Sequence, residues 1–424
     1  MNYNKIEIKE GITLHKIDTN NFKTNLYAVF LAVPLKRENA TKDAMLAAVL
    51  RRGTARLNTQ ELISQELEGM YGASFDCGIE KTGDNHILKF YLESISEEFL
   101  PTKEEITKES LEVLLDIVFN PLVENEGFKK EYVEGEKKNV KQIIEGKIDN
   151  KGQYSLDRCI EEMFKEKPYG IYKFGYIEDL DKIDEHNLYE YYKQLISECK
   201  IDVFCSGTQN NTEEIIENNE NIKRLEERKP NYIVNNEQTE KDNTEDKREN
   251  VVNESMQVSQ GKLVIGLSIN NNSKDSKYAV SVYNAILGGG ANSRLFQNVR
   301  EKESLAYTAG SNYIRQKNVI FIRCGIEIDN YEKALSTIKQ QLEDLKSGNI
   351  SMEDMENAKK LITSAVKGIV AEQDTEITYY YGQELSDEFT TVDGYIGKIN
   401  NVTKEQVVDI ANSISISTIY FLKN

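Results

Sequence analysis

The chain has 424 residues, 39% of them apolar, a length that suits two domains better than one. Its 71 acidic residues outnumber its 53 basic ones, giving a net charge of −18. That balance argues against nucleic acid, whose phosphates need basic stripes, and against an anionic membrane surface. A diffuse negative field keeps a chain soluble, and it can also steer basic peptides toward it. The N-terminal segment, Met1 to Glu10, carries no apolar core of signal-peptide length. No run approaches the roughly 20 apolar residues of a membrane helix. The five cysteines, Cys77, Cys159, Cys199, Cys205 and Cys324, are irregularly spaced and odd in number, so no disulfide framework is implied. A reduced, cytoplasmic protein is the expectation.

In chain order, Thr24–Pro34 is apolar and rich in strand formers, and Thr41–Leu50 is helix-like. Glu104–Phe119 repeats apolar residues at helical spacing, and Asn120-Pro121 stops it. Tyr132–Phe164 reads as one long helix or a pair broken near Gly152. Asp184–Glu198 is helical, and Ile201–Cys205 forms a strand ending at Ser206-Gly207. The chain then turns polar: residues 235–250 contain no apolar residue and cannot offset their ordering entropy by burial. A linker over 229–250 thus separates an N-terminal domain, 1–228, from a C-terminal domain, 251–424. After it come a strand (Lys262–Asn270), a helix (Lys277–Leu287), and two helices (Tyr331–Lys346 and Met352–Glu372) parted by Ser347-Gly348-Asn349. A last helix, Thr403–Ser413, precedes a closing strand, Ile416–Leu422.

Both halves open with a strand followed by a helix. Leu50 to Tyr71 spans 21 residues and Leu287 to Tyr307 spans 20, each tyrosine lying close to a small-residue pair and a strand. The pattern indicates an internal duplication at domain scale, the alternative being coincidence between two common αβ segments. Strands mixed with helix pairs predict an α+β fold, two homologous domains each with a mainly antiparallel sheet covered by helices on one face.

The segment Thr41–Thr54 resembles the helix that carries H-x-x-E-H in the insulinase/pitrilysin zinc peptidases, with Ala44, Ala47 and Ala48 standing where His, Glu and His would be. In the motif, positions i and i+4 share a helix face and grip the ion while the glutamate activates a bound water; alanine can do neither. The family's third ligand is a glutamate seven residues after another glutamate. The matching segment, Glu136 to Ile143, puts Ile143 at that position, expected as a buried packing residue. The three histidines, His15, His86 and His186, are far apart in sequence and lack motif spacing. They read as surface or packing residues. Gly288-Gly-Gly290 lacks the G-K-[ST] ending of a phosphate loop and reads as a helix exit.

Further landmarks of the resemblance are Arg52-Gly-Thr54, Asn120-Pro-Leu122, Lys167-Pro-Tyr-Gly170, Gly207, Ser293-Arg-Leu-Phe296 and, most specific, Arg300-Glu-Lys-Glu-Ser-Leu-Ala-Tyr307. Together they cover most of the chain and match the short two-domain bacterial branch, similar to mitochondrial processing peptidase subunits. The resemblance is strongest to the metal-free member of gene pairs encoding one zinc-bearing and one zinc-less chain. It implies half of a clamshell in which Arg300 and Tyr307 reach a zinc site in the opposing domain and hold the peptide. A guanidinium and a phenol can hydrogen-bond the peptide and stabilise charge on the scissile carbonyl. The competing reading makes Arg300 a solvated helix residue paired with Glu301 or Glu303 and Tyr307 a packed strand residue.

The resemblance therefore implies no metal and no catalytic residue acting alone in this chain, with zinc expected in a zinc-bearing paralogous partner subunit and a peptide as substrate. A homodimer is expected where that partner is absent. A non-catalytic scaffold or peptide-binding protein, and a role in maturing another peptide or protein, stay open. No G-x-S-x-G and no Cys–His arrangement supports another type of hydrolase.

Overall fold

The computed structural model describes residues 2–208, 211–234, 249–271, 273 and 275–424. The chain opens with strands β1 (Asn2–Lys9), β2 (Ile12–Asp18) and β3 (Thr24–Pro34), then helices α1 (Ala40–Leu50) and α2 (Gln60–Gly69). Strands β4 (Ser74–Thr82) and β5 (Asn85–Ile95) and helix α3 (Ile106–Phe119) follow. A small hairpin, β6 (Val123–Glu124) and β7 (Gly127–Phe128), leads to helices α4 (Lys130–Gly146), α5 (Lys151–Met163), α6 (Ile177–Leu180) and α7 (Glu185–Glu198). Strand β8 (Lys200–Gly207) and short helices α8 (Thr212–Asn218) and α9 (Glu220–Arg224) close this half. The second half holds β9 (Asn250–Ser255), β10 (Gly261–Ile269), α10 (Ser276–Gly288), β11 (Ala306–Ile314) and β12 (Val319–Ile326). Helices α11 (Tyr331–Lys346), α12 (Met352–Gly368), α13 (Gln373–Glu384), α14 (Val392–Asn400) and α15 (Lys404–Ser413) precede the last strand, β13 (Ile414–Lys423).

The long segment Tyr132–Phe164 is a helix pair, and the break falls ahead of Gly152, where the Asn150 side chain accepts the Gln153 N–H at 3.0 Å and starts α5. Helix α7 begins with a reciprocal cap between Asp184 and Asn187. The centre of the expected linker, 235–248, lies outside the described residues. Its N-terminal flank is tied down: Ile233 N–H donates to Asn85 Oδ1 at 2.7 Å, and Asn85 Nδ2 donates to the Ile233 carbonyl at 2.6 Å.

The chain packs as two compact units, and two segments change sides relative to the sequence division at 229–250. One unit takes Met1–Gly146, Ile171–Val234 and Ala371–Gly382; the other takes Lys147–Gly170, Asn235–Val370 and Gln383–Asn424. In the first unit the strand order is β1-β2-β8-β3-β5-β4, and in the second β11-β12-β10-β13-β9. Read from β4 and from β11, the first five strands of the two orders correspond one to one, and β1 is an extra edge strand of the first sheet. Each sheet has one parallel pair, β2 with β8 and β13 with β9, the other pairs being antiparallel. The duplication legible in the sequence is thus a duplication of topology in an α+β fold.

Helices α1, α3 and α7 pack on one face of the first sheet over a core of Tyr27, Val29, Leu31, Leu88, Leu114 and Val203. The opposite face carries Phe30, His15 and Phe204, and here the Ala371–Gly382 segment of the same unit lies: Tyr381 packs on Phe30 with ring centroids 4.2 Å apart, and Tyr380 stacks on Tyr3 at 4.4 Å. That double cover is why β3 is buried from Asn25 to Val33 and why its sequence is a continuous apolar run rather than an alternation. The second sheet is built likewise. Its main helical layer, including α10, α11 and α15, covers Leu263, Ile265 and Leu267. Its other face, Val264, Phe321, Tyr420 and Leu422, is sealed by Cys159, Ile160 and Phe164. Gly266 is closely approached there: a Cβ would lie 2.6 Å from Met163 Sδ, and the methionine side chain would have to shift. Among the described residues no helix is long and apolar enough to cross a membrane.

Candidate functional site

Helix α1 is apolar throughout Ala44–Leu50, and it sinks into the first unit's core on several sides. Ala44 and Ala47 are each 4% exposed, and Ala48 is half-buried. Cys77 on the edge strand β4 donates its thiol to the Ala47 carbonyl at 3.2 Å, and burial pushes that thiol up to about 11. Helix α4 packs beside α1, and Arg52 Nη1 pairs with the buried Glu136 at 3.2 Å. Ile143 lies two helical turns along α4 from that pair. It is 45% exposed, which corrects the expectation of a buried packing residue: Val133, Glu136 and Val140 are buried, but the cover on that stripe of α4 does not reach Ile143, three residues beyond Val140. The side chains at 44, 47, 48 and 143 carry no oxygen, nitrogen or sulfur donor. They do not fit a zinc ion, and no metal chemistry is assigned to them.

Two of the three histidines are more deeply placed than surface residues, and both are paired with buried aspartates. His86 Nδ1 lies 2.8 Å from Asp43 Oδ2, and the Tyr191 hydroxyl donates to Asp43 Oδ1 at 2.6 Å. Asp43 and His86 are fully buried, so this network fixes α1 against β5 and α7. His15 Nε2 lies 2.8 Å from Asp202, which also pairs with Lys200. Burial alone would raise the Asp202 pKa, but the Lys200 ammonium and the His15 contact outweigh it and hold the carboxyl down to about 2. His186 is exposed.

Arg300 and Tyr307 belong to the second unit. Arg300 sits on a π-helical turn, Phe296–Lys302, of the kind that is rare in helices and recurs at functional sites. Its guanidinium lies over the Phe296 ring, 4.5 Å from the centroid, and 3.6 Å from the Glu301 carboxylate. Tyr307 is not packed in the core as the competing reading supposed; it is 62% exposed. The reason is a β-bulge. The β11–β12 register runs from Ala306 opposite Ile326 to Thr308 opposite Gly325, leaving Tyr307 as the extra residue. Its hydroxyl donates to Glu327 Oε1 at 3.0 Å, and this contact with a carboxylate raises the phenol's pKa above its ordinary value. The pairing of Arg300 with Glu301 agrees with the solvated-helix alternative for that residue.

The sequence singles out Arg300 and Tyr307 and names Phe296 only as a landmark; the contacts of Phe296 and Glu327 with that pair, and the Asp43–His86–Tyr191 network, are visible only in the structure. Phe296 had a signal, its position four residues before Arg300 on one helical face. Glu327 had none, because its neighbour is set by strand register and a bulge.

Comparison with known proteins agrees with this architecture. A family model described as "Peptidase M16 inactive domain" matches residues 182–362. The Bacillus subtilis (strain 168) protein described as "Probable inactive metalloprotease YmfF" is 33% identical over 424 residues, covering 99% of this chain and 98% of its own. The "Uncharacterized zinc protease YmxG" of the same organism is 28% identical over 140 residues, about a third of each chain (32% and 34%). Among solved structures, a protein from Enterococcus faecalis V583 superposes with a TM-score of 0.90 at 24% identity, covering 100% of this chain and 99% of that one. The peptidase M16 inactive domain from Pseudomonas fluorescens superposes with a TM-score of 0.77 at 17% identity, covering 100% and 98%. These two likenesses speak for the fold. The identity to the Bacillus subtilis protein over nearly the whole of both chains shows that the chain belongs to the insulinase-like M16 peptidase family.

Proposed function

We propose that this chain is the non-metal subunit of a heterodimeric zinc peptidase. A zinc-bearing paralogue supplies the ion and its general base, and this chain supplies Arg300, Tyr307 and half of a chamber for short or unfolded peptides, in the cytoplasm. One observation carries the reading: the zinc positions hold only alanine and isoleucine, yet Arg300 and Tyr307 both project into solvent, the second through a bulge that exposes it. A core-packing role would have no use for that exposure. The guanidinium offers donors to a scissile carbonyl as charge develops there, an interaction whose loss typically lowers turnover about 10²–10³-fold.

A scaffold or peptide-binding role without hydrolysis is favoured by a different observation, that Arg300 and Tyr307 already have carboxylate neighbours in Glu301 and Glu327. The separating experiment measures hydrolysis of a quenched peptide library, with zinc content, for this chain, for the zinc-bearing paralogue, and for an equimolar mixture. Activity that appears only in the mixture, and that R300A lowers by about 10²-fold or more, is the expected result. Activity of this chain alone, or a mixture indifferent to R300A, refutes the reading. A homodimer formed without the paralogue would carry two Arg/Tyr pairs and is expected to be inactive.

A further inference from the structure

A phenol has one O–H to donate and lone pairs with which to accept, whereas a guanidinium only donates. In the second unit the Tyr307 O–H is directed to Glu327 Oε1 at 3.0 Å, and that carboxylate is acceptor-only when ionised. The two residues meet because the bulge at Tyr307 shifts the β11–β12 register by one, bringing the ring to the end of β12, where Glu327 follows Ile326. β11 is also the outermost strand of its sheet. On the π-helical turn Phe296–Lys302 the Arg300 guanidinium rests on Phe296, and its side chain is 43% exposed.

We propose that Glu327 is a positioning residue for Tyr307: by taking the phenol's one O–H it orients the ring and commits the phenol oxygen to accept a peptide N–H, while Arg300 donates to a peptide carbonyl. The pair then reads both polar groups of a peptide backbone and not side chains, which suits a chamber that takes many sequences. The inference rests on the peptidase-subunit reading above.

The test uses the full chain with tyrosine ζ-carbon labelling, and then the equimolar mixture with the zinc-bearing paralogue. In the labelled chain alone, E327Q should return the Tyr307 titration toward that of an ordinary tyrosine, because the amide keeps an acceptor but removes the charge. In the mixture, E327L should lower kcat/KM for a cleaved library peptide at least 10-fold, and E327Q should retain most of it. Ester analogues of that peptide, each lacking one backbone N–H near the cleaved bond, should include one whose loss in binding matches that of Y307F and is not added to by Y307F. An unmoved titration in E327Q overturns the inference, as does E327L turnover equal to wild type, or additivity of Y307F with every ester. If R300A and Y307F also leave turnover unchanged, the subunit reading has failed and the inference falls with it. If they reduce turnover while E327L does not, the subunit reading stands and only the inference is lost.

Discussion

Replacing Asp43 by alanine should be among the most damaging single changes in the first unit. Asp43 sits on α1 immediately before Ala44. It accepts the Tyr191 hydroxyl at 2.6 Å and pairs with His86 Nδ1 at 2.8 Å, with Asp43 and His86 fully buried and Tyr191 8% exposed. His86 Nε2 is buried without a hydrogen-bond partner, so Asp43 is the group that satisfies that ring. Asp43→Ala strands two buried polar groups, each costing about 1–3 kcal/mol. The sum is about 2–6 kcal/mol. Against a total of roughly 5–15 kcal/mol, that is enough to loosen the unit. The chain has no tryptophan, so urea unfolding is best followed by circular dichroism, with amide hydrogen exchange resolving α1 and α7. Exchange in those two helices should accelerate well before the second unit responds. Tyr191→Phe should cost less, and the double variant should lose less than the sum of the two, since both changes break one contact. A loss below about 1 kcal/mol in Asp43→Ala, or unchanged exchange in α1, would refute the assignment of this network as the anchor of the helix.

Acid should act on the first unit through Asp202. Its folded pKa of about 2 lies below the ordinary value of 3.8, so its contribution is present above pH ~4 and lost as pH falls through 2. The shift corresponds to about 2 kcal/mol, and Asp202→Asn should flatten the decline of stability over that window; an unchanged slope would show that the Lys200 pair does not form in solution. Gly207→Ala should destabilise by ~1–3 kcal/mol, because Gly207 has φ +128° and a Cβ would lie 2.1 Å from Asn25 Oδ1. Asn25 cannot move away freely, as the same oxygen accepts Thr208 N–H at 2.9 Å. A thermal midpoint equal to wild type would contradict this.

The sequence alone carried the elements whose pattern is local. The sequence places helix α11 at Tyr331–Lys346 and β3 at Thr24–Pro34, and both are found there, because helical apolar spacing in the one and a short run of strand formers in the other act within a few residues of chain. The absence of metal donors at 44, 47 and 48 is likewise a property of residue type, and no folding can change it. The spacing from Arg300 to Tyr307 was legible for the same reason. Tertiary structure decided what depends on distant chain. Residues 147–170 and 371–382 join units that the linker position assigns otherwise, since a second face of a sheet can be covered by any amphipathic segment that reaches it. Ile143 lies in the open although its type suggests burial, because how far along a helix the cover extends is set by what packs against it, and on α4 it ends before Ile143. Tyr307 projects outward and meets Glu327 because one extra residue in a strand re-aims a side chain, and strand register is fixed by pairing across the sheet.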